Sequence, residues 1–180
     1  MLNKIFTPFP ILTTKRLTLR PLKITDEHEI FTLRSDSDVN KYLDRPISHT
    51  IDDARSFINK IIENSTKNNS LYWAITFTDK DILVGTICLV GFSDENDQCE
   101  CGYELLPTFQ GQGIMKEAVE KVIDYAFNTI NAQQIEAFVH QHNQRSIKLL
   151  EKFSFCHSNK RDETNPDLVN YYLTNTNNHP

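Results

Sequence analysis

The chain has 180 residues with a formal net charge of −5. That is enough for one domain with a sizeable core, and too acidic, with no basic block, for general nucleic-acid binding. No window approaches a membrane span and the first ten residues hold no long apolar stretch, while Cys88, Cys99, Cys101 and Cys156 contain no C-x-x-C pair; a cytoplasmic protein with reduced thiols is expected.

In chain order, alternation in Leu17-Thr18-Leu19-Arg20 predicts a strand, and Thr25-Asp26-Glu27-His28 starts a helix that runs to about Leu33. Ser48 to Asp53 opens a second helix whose Ala54, Phe57, Ile58, Ile61 and Ile62 recur at helical spacing. These two helices are expected to wall one side of a substrate cleft. Strands follow near 71–77 and 82–91 with a turn at Asp79-Lys80-Asp81, and the strand carrying Glu100 to Leu106 runs into Pro107-Thr108-Phe109-Gln110-Gly111-Gln112-Gly113. From Ile114 to Phe127 one helix face is apolar through Met115, Ala118, Val119, Val122, Ile123, Ala126 and Phe127. Ile135, Ala137 and Val139 alternate as in a strand, a helix covers Asn143 to Phe153, and Val169 to Leu173 forms a closing strand. Strands flanking a helix that starts at a glycine turn imply a mixed sheet with a βαβ unit. The polar stretch from Thr174 to Pro180 is expected to fray.

The glycine turn carries the chemistry. Gly111 and Gly113 permit positive φ and close backbone approach, and the helix after them presents unpaired N–H groups and the positive end of its dipole. That is an anion site. It is no P-loop, because G-x-x-x-x-G-K-[ST] is absent, and a dinucleotide fingerprint would need its third glycine at Lys116.

What remains, Gln110-x-x-Gly113-x-Met115, resembles the pyrophosphate-binding motif of the GCN5-related N-acetyltransferase (GNAT) superfamily, and most of all its branch of ribosomal-protein N-terminal acetyltransferases, RimJ and RimL. The resemblance covers about residues 11–173: Leu12 to Leu22 looks like the family's first strand, Trp73-Ala74-Ile75 and Val84-Gly85-Thr86-Ile87 like its second and third, and Asn143 to Phe153 like its last helix. It implies a single α/β domain over residues 1–174 with a polar tail at 175–180. The sheet would be central, mixed and mostly antiparallel, with six to seven strands flanked by about four helices, and would splay beside the glycine turn. Two departures stand out: Ser154-Phe155 replaces the family's Gly-Phe, removing a glycine C-cap, and Met115 occupies a position that is usually small, either crowding the turn or packing beneath it.

The implied co-substrate is acetyl-CoA, with the backbone of Gln110, Gly111, Gln112, Gly113, Ile114 and Met115 cradling its pyrophosphate and Leu105 and Leu106 offering main-chain groups to the pantetheine. Acetyl transfer to an amine needs a base, oxyanion stabilisation and a proton for the leaving thiolate. Glu104 is the first candidate base, with Glu100 four residues back on the same strand face and Glu163 third; a strand carboxylate serves equally well as an ion-pair partner. The family's tyrosine acid on the last helix is replaced by Leu150, so the branch's serine, Ser146, takes that role, with Asn143 contacting the cofactor or a water and also suited to cap the helix. His140-x-His142 lacks a third ligand, and no metal is expected. Trp73 reads as a core aromatic.

The function implied is acetyl transfer to a protein N-terminal amine by direct attack in a ternary complex. A small amine such as a polyamine, amino acid or aminoglycoside is the alternative, favoured if Asp26, Glu27, Asp52 and Asp53 make an acidic cleft. The substitution at Leu150 also leaves room for a non-catalytic acyl-CoA sensor. Neither nucleic acid nor membrane is an expected partner, and the protein is a monomer or homodimer.

Overall fold

The computed structural model describes residues 1–162 and 164–176. Its first element is a hairpin, β1 (Leu12–Thr13) and β2 (Leu17–Pro21), with Leu12 opposite Leu19. The single strand expected over 12–22 is broken because the Thr14 hydroxyl accepts the Leu17 N–H at 2.9 Å while the Thr14 N–H returns to the Leu17 carbonyl at 2.9 Å, closing a turn.

Helices α1 (Glu27–Ser35), α2 (Ser37–Asn40) and α3 (Ile51–Thr66) follow. Thr50 caps α3 by accepting the Asp53 N–H, and the Asp53 carboxylate reaches back to the N–H of Thr50, a reciprocal box that fixes the helix start. Strands β3 (Leu71–Phe77), β4 (Lys80–Ser93) and β5 (Gln98–Leu105) form an antiparallel meander. After β5 come α4 (Ile114–Asn128), β6 (Gln134–His140), α5 (Gln144–Lys152), β7 (Cys156–Arg161) and β8 (Leu168–Thr174).

One mixed sheet in the order β1-β2-β3-β4-β5-β6-β8-β7 contains all eight strands, with five helices about it. The two strands hardest to anticipate are β1, only two residues long, and β7, whose Cys-His-Ser-Asn-Lys-Arg carries no apolar alternation.

Two cores lie on opposite faces. Leu17, Leu19, Trp73, Ile75, Ile87, Leu89, Val119, Val122 and Ile135 belong to the larger, into which α4 and α5 press Met115, Ala118 and Leu150. Ile30 and Leu33 of α1 meet Ala54 and Ile58 of α3 over Ala74 and Leu83 in the smaller. Trp73 is a core aromatic, fully buried, donating its indole N–H to the Pro10 carbonyl at 2.7 Å and meeting Phe9 and Tyr125 edge-on.

Among the described residues only one neighbouring pair of strands is parallel, β5 and β6, and it lasts three positions: Gln98 with Gln134, Cys99 with Ile135, Glu100 with Glu136. Beyond it β5 continues to Leu105, still paired with β4, and β6 to His140, still paired with β8. A wedge therefore opens between them toward the glycine turn, the splay that the family resemblance implies.

Helix α5 ends without glycine. The Phe155 N–H donates to the Leu150 carbonyl at 3.1 Å and the Ser154 N–H to the Glu151 carbonyl at 3.0 Å, a Schellman closure with Leu150 and Phe155 joined in the core. Ser154 takes φ +63°, a left-handed conformation that costs a side chain about 1 kcal/mol relative to glycine. Ser154→Gly should therefore raise the unfolding free energy by about 0.5–1 kcal/mol, partly offset by the freer unfolded chain, as a higher urea midpoint at unchanged slope.

Candidate active site

At the mouth of the wedge, Gly111 and Gly113 both sit at φ +76°, where a side chain would be strained. The first helical bond of α4 runs from the Glu117 N–H to the Gly113 carbonyl at 3.1 Å, so Ile114, Met115 and Lys116 keep N–H groups without helical acceptors. Ile114 and Met115 are buried in the core, so Met115 packs beneath the turn rather than crowding it.

The turn is pinned from a direction the sequence did not suggest. Glu117 accepts from the Thr14 hydroxyl at 2.5 Å, the Arg16 N–H at 2.9 Å and Arg16 Nε at 2.7 Å. Burial pushes this carboxyl up, but the bonds from Thr14 and Arg16 outweigh it and hold it below the usual carboxylate range. Arg16 Nη1 also donates to the Gln112 carbonyl at 3.1 Å, and Arg16 Nη2 lies 3.5 Å from where a Cβ on Gly113 would stand. A guanidinium thus sits against the anion-binding backbone. Across the wedge, Gln110 donates to the Leu105 carbonyl at 3.0 Å and accepts from Arg145 of α5. The Leu106 N–H is spent on Val84, and the Gln112 side chain holds the Thr108 carbonyl.

Ser146 and Asn143 lie on the α5 side. Asn143 caps the helix, accepting the Ser146 N–H at 3.3 Å, and the Ser146 hydroxyl is 2.8 Å from the Tyr103 hydroxyl. Tyr103, read from sequence only as part of a strand, projects from β5 toward this side; burial raises its pKa, so the phenol remains a neutral hydrogen-bonding group. Leu150 is buried in the core.

Glu100, Gly102 and Glu104 face the opposite way, toward α1 and α3, in register with Val90, Cys88 and Thr86. The two carboxylates differ sharply. Glu104 is buried and fully engaged: Arg45 approaches at 2.6 Å, Thr86 donates at 3.2 Å and Tyr72 at 3.5 Å. Glu100 is partly buried, with no hydrogen bond or ion pair to any described residue; burial, and then the Glu136 and Asp162 carboxylates, raise its pKa. Lys160 pairs with Glu136 at 3.1 Å. Glu163 lies outside the described residues.

The four acidic residues considered for a cationic cleft are spent elsewhere. Asp26 is buried against Arg20 at 2.8 Å, Glu27 and Asp52 share Arg55, and Asp53 closes the cap of α3. They form helix starts and ion pairs, not a cleft. His140 stacks near His142 and Tyr42, and burial raises the thiols of Cys88 and Cys99 to about 12, so neither is a ready nucleophile. All four cysteines are free, and no helix among the described residues is long and apolar enough to cross a membrane.

Residues 16–155 match the family model described as acetyltransferase (GNAT) domain. The chain is 35% identical over 144 residues to the uncharacterized N-acetyltransferase p20 of Bacillus licheniformis, covering 80% of this chain and 81% of that one. It is 23% identical over 140 residues to a spermidine N(1)-acetyltransferase of Vibrio cholerae, covering 78% and 79%. Its fold superposes with a TM-score of 0.79 on RimL, a ribosomal L7/L12 alpha-N-protein acetyltransferase in complex with coenzyme A, at 18% identity over 92% of this chain and 98% of that one. With its wedge, its glycine turn and this match over most of its length, the chain belongs to the GNAT acetyltransferase family and is an N-acetyltransferase that uses acetyl-CoA as its co-substrate.

Proposed function

We propose that the protein acetylates the N-terminal amine of a peptide or protein by direct attack in a ternary complex, with Glu100 as the general base. The observation that carries this is the contrast between the two strand carboxylates: Glu104 is committed to Arg45, Thr86 and Tyr72, while Glu100 stands at the last β5–β6 pair with no such partner and a raised pKa. A carboxylate so perturbed is better matched to proton removal near neutral pH. The preference for Glu104, drawn from its place near the glycine turn, is reversed in this proposal.

The backbone of Gln110 to Met115 binds the pyrophosphate, with Arg16 adding charge, and the free edge of β5 between Cys101 and Leu105 lies along the pantetheine; Leu106, expected to offer its N–H, gives it to Val84 instead, and the Leu105 carbonyl is held by Gln110. Gln110, with Arg145, marks the point where that arm enters, and Asn143 fixes the start of α5 so that Ser146 faces it. Acetyl-CoA supplies the activated acyl carbon. Glu100 accepts the proton that the attacking amine loses, directly or through a water. Ser146, within reach of Tyr103, donates a hydrogen bond to the departing thiolate, which takes its proton from solvent, while Glu100 later releases the proton it gained from the amine. An N-terminal amine is favoured over a polyamine because the acidic residues of α1 and α3 are already neutralised.

The two carboxylates are separable by experiment. Glu100→Gln should lower kcat by about 10²-fold or more and abolish the acid limb of the pH–rate profile, since the base is lost as pH falls through its raised pKa. A raised pKa in the fold favours the protonated form, so this group's contribution to stability is present in acid and lost as pH rises through that pKa. Glu100→Gln should therefore unfold no more easily than the parent at pH 7. Glu104→Gln should instead cost about 3 kcal/mol by leaving Arg45 unpaired, visible in urea titration. The reverse pattern would make Glu104 the base.

Ser146→Ala should reduce turnover by about 10²-fold with little change in the KM for acetyl-CoA, read by mass spectrometry of the acetylated peptide. Unchanged turnover would remove Ser146 from the mechanism.

A further inference from the structure

Beside the acceptor face of β5 stands a second charged group that the transfer chemistry does not use. Arg45 is held by its Nε, which donates to the Asn40 side chain at 2.8 Å, and Asn40 is itself buried and fixed by the carbonyls of Leu33 at 3.0 Å and Asp36 at 2.7 Å. Its Nη2 is ion-paired with Glu104 at 2.6 Å. Arg34, from the last turn of α1, lays its guanidinium over the Phe57 ring at 3.9 Å, and its buried Nε also lacks an acceptor. Both arginines feel the field of Glu104 and repel each other, and burial followed by the Arg45 charge lowers the pKa of Arg34. Two guanidinium cations thus stand near one carboxylate that pairs with only one of them, and the buried Nε of Arg34 awaits an acceptor. Buried donors are rarely left open unless a ligand or ordered water fills them.

We propose that Arg34 and Arg45 bind a carboxylate carried by the acceptor, so that the enzyme selects N-termini with an aspartate or glutamate close behind the reacting amine. This rests on the peptide reading above. Its spacing follows from β5, where Glu100 and Glu104 are separated by four residues, about 13 Å of strand. Free α-amino acids are too short to span from the base to the arginines, whereas an extended peptide, at about 3.4 Å per residue, reaches them with the side chain of its second or third residue. The two ends of the face are also opposite in sign: the excess cation at Arg34 and Arg45 is matched at the other end by Glu100 and Glu136 against Lys160. An ammonium and a carboxylate several ångströms apart in one acceptor complement that arrangement, and a polycation does not.

The test compares acetyl transfer to peptides that differ only by Asp, Asn or Lys at the second or third position, alongside spermidine and aminoglycosides, for the parent, Arg34→Gln and Arg34→Glu. The parent should favour the Asp peptides by about tenfold or more in kcat/KM, mainly through KM. Arg34→Gln should lose that preference while keeping its rate on the Asn peptides, and Arg34→Glu should turn it toward Lys. Titrating the same peptides onto the protein loaded with coenzyme A reads the contact without turnover, and a preference for Asp there, lost in Arg34→Gln, supports the site even where transfer is slow. Equal use and equal binding of Asp and Asn peptides by the parent, or a preference that survives Arg34→Gln, overturns the proposal. Transfer confined to spermidine or aminoglycosides overturns both it and the peptide reading, whereas transfer to peptides regardless of acidity overturns it alone.

Discussion

The parallel contact between β5 and β6 ends after Glu100 and Glu136, and the rest of the molecule is arranged around that ending. Main-chain groups in a strand demand partners, and a sheet satisfies them by continuing. Here each strand keeps its outer neighbour, β4 for β5 and β8 for β6, and gives up the inner one. The opening is held apart rather than frayed, because α4 and α5 bury Met115, Ala118 and Leu150 against the sheet on one side of it. An extended ligand with its own amides is the natural occupant of such a gap, and the pantetheine of acetyl-CoA is one.

The two faces of β5 then divide the labour. Odd-numbered Tyr103 meets Ser146 on the side of α5, where two neutral hydroxyls stand together. Even-numbered Glu100 and Glu104 face the α1–α3 layer, where an unpaired carboxylate and an ion-paired one stand two pleats apart. In the proposed mechanism one strand thereby separates the group that serves the thiolate from the proton acceptor, and the alternation of a pleat does this without any loop. At the open end, Arg16 and Glu117, 101 positions apart in the chain, tie the first hairpin to the N-terminus of α4 and brace the candidate anion site.

Much of this was legible in the residues. The helical spacing of Ala54, Phe57, Ile58 and Ile61 and the apolar face of Ile114 to Phe127 gave α3 and α4 correctly, because burial on one side imposes a period that composition cannot hide. Gly111 and Gly113 announced the turn because few other residues hold φ near +76°. The absent glycine at Ser154 looked like a lost cap; the cap is present, with serine bearing the strain. What the chain concealed were partners distant in sequence. Nothing in the spacing of Arg16, Arg45 or Tyr103 connects them to Glu117, Glu104 and Ser146, since ion pairs and hydroxyl contacts across a fold leave no period behind. For the same reason Glu100 and Glu104 looked alike on their strand, and only the neighbours supplied by β3, β4 and the loop after α2 set them apart.

The most direct test of the account is amide hydrogen exchange on the whole protein with and without coenzyme A. If the wedge receives the pantetheine and the glycine turn the pyrophosphate, slowed exchange should concentrate in residues 101–105, 111–116 and 143–147, with α1 and α3 unchanged. Saturable binding that protects α1 and α3 while leaving the free edge of β5 and the start of α4 as they were would contradict it, and would place the cofactor on the other face of the sheet.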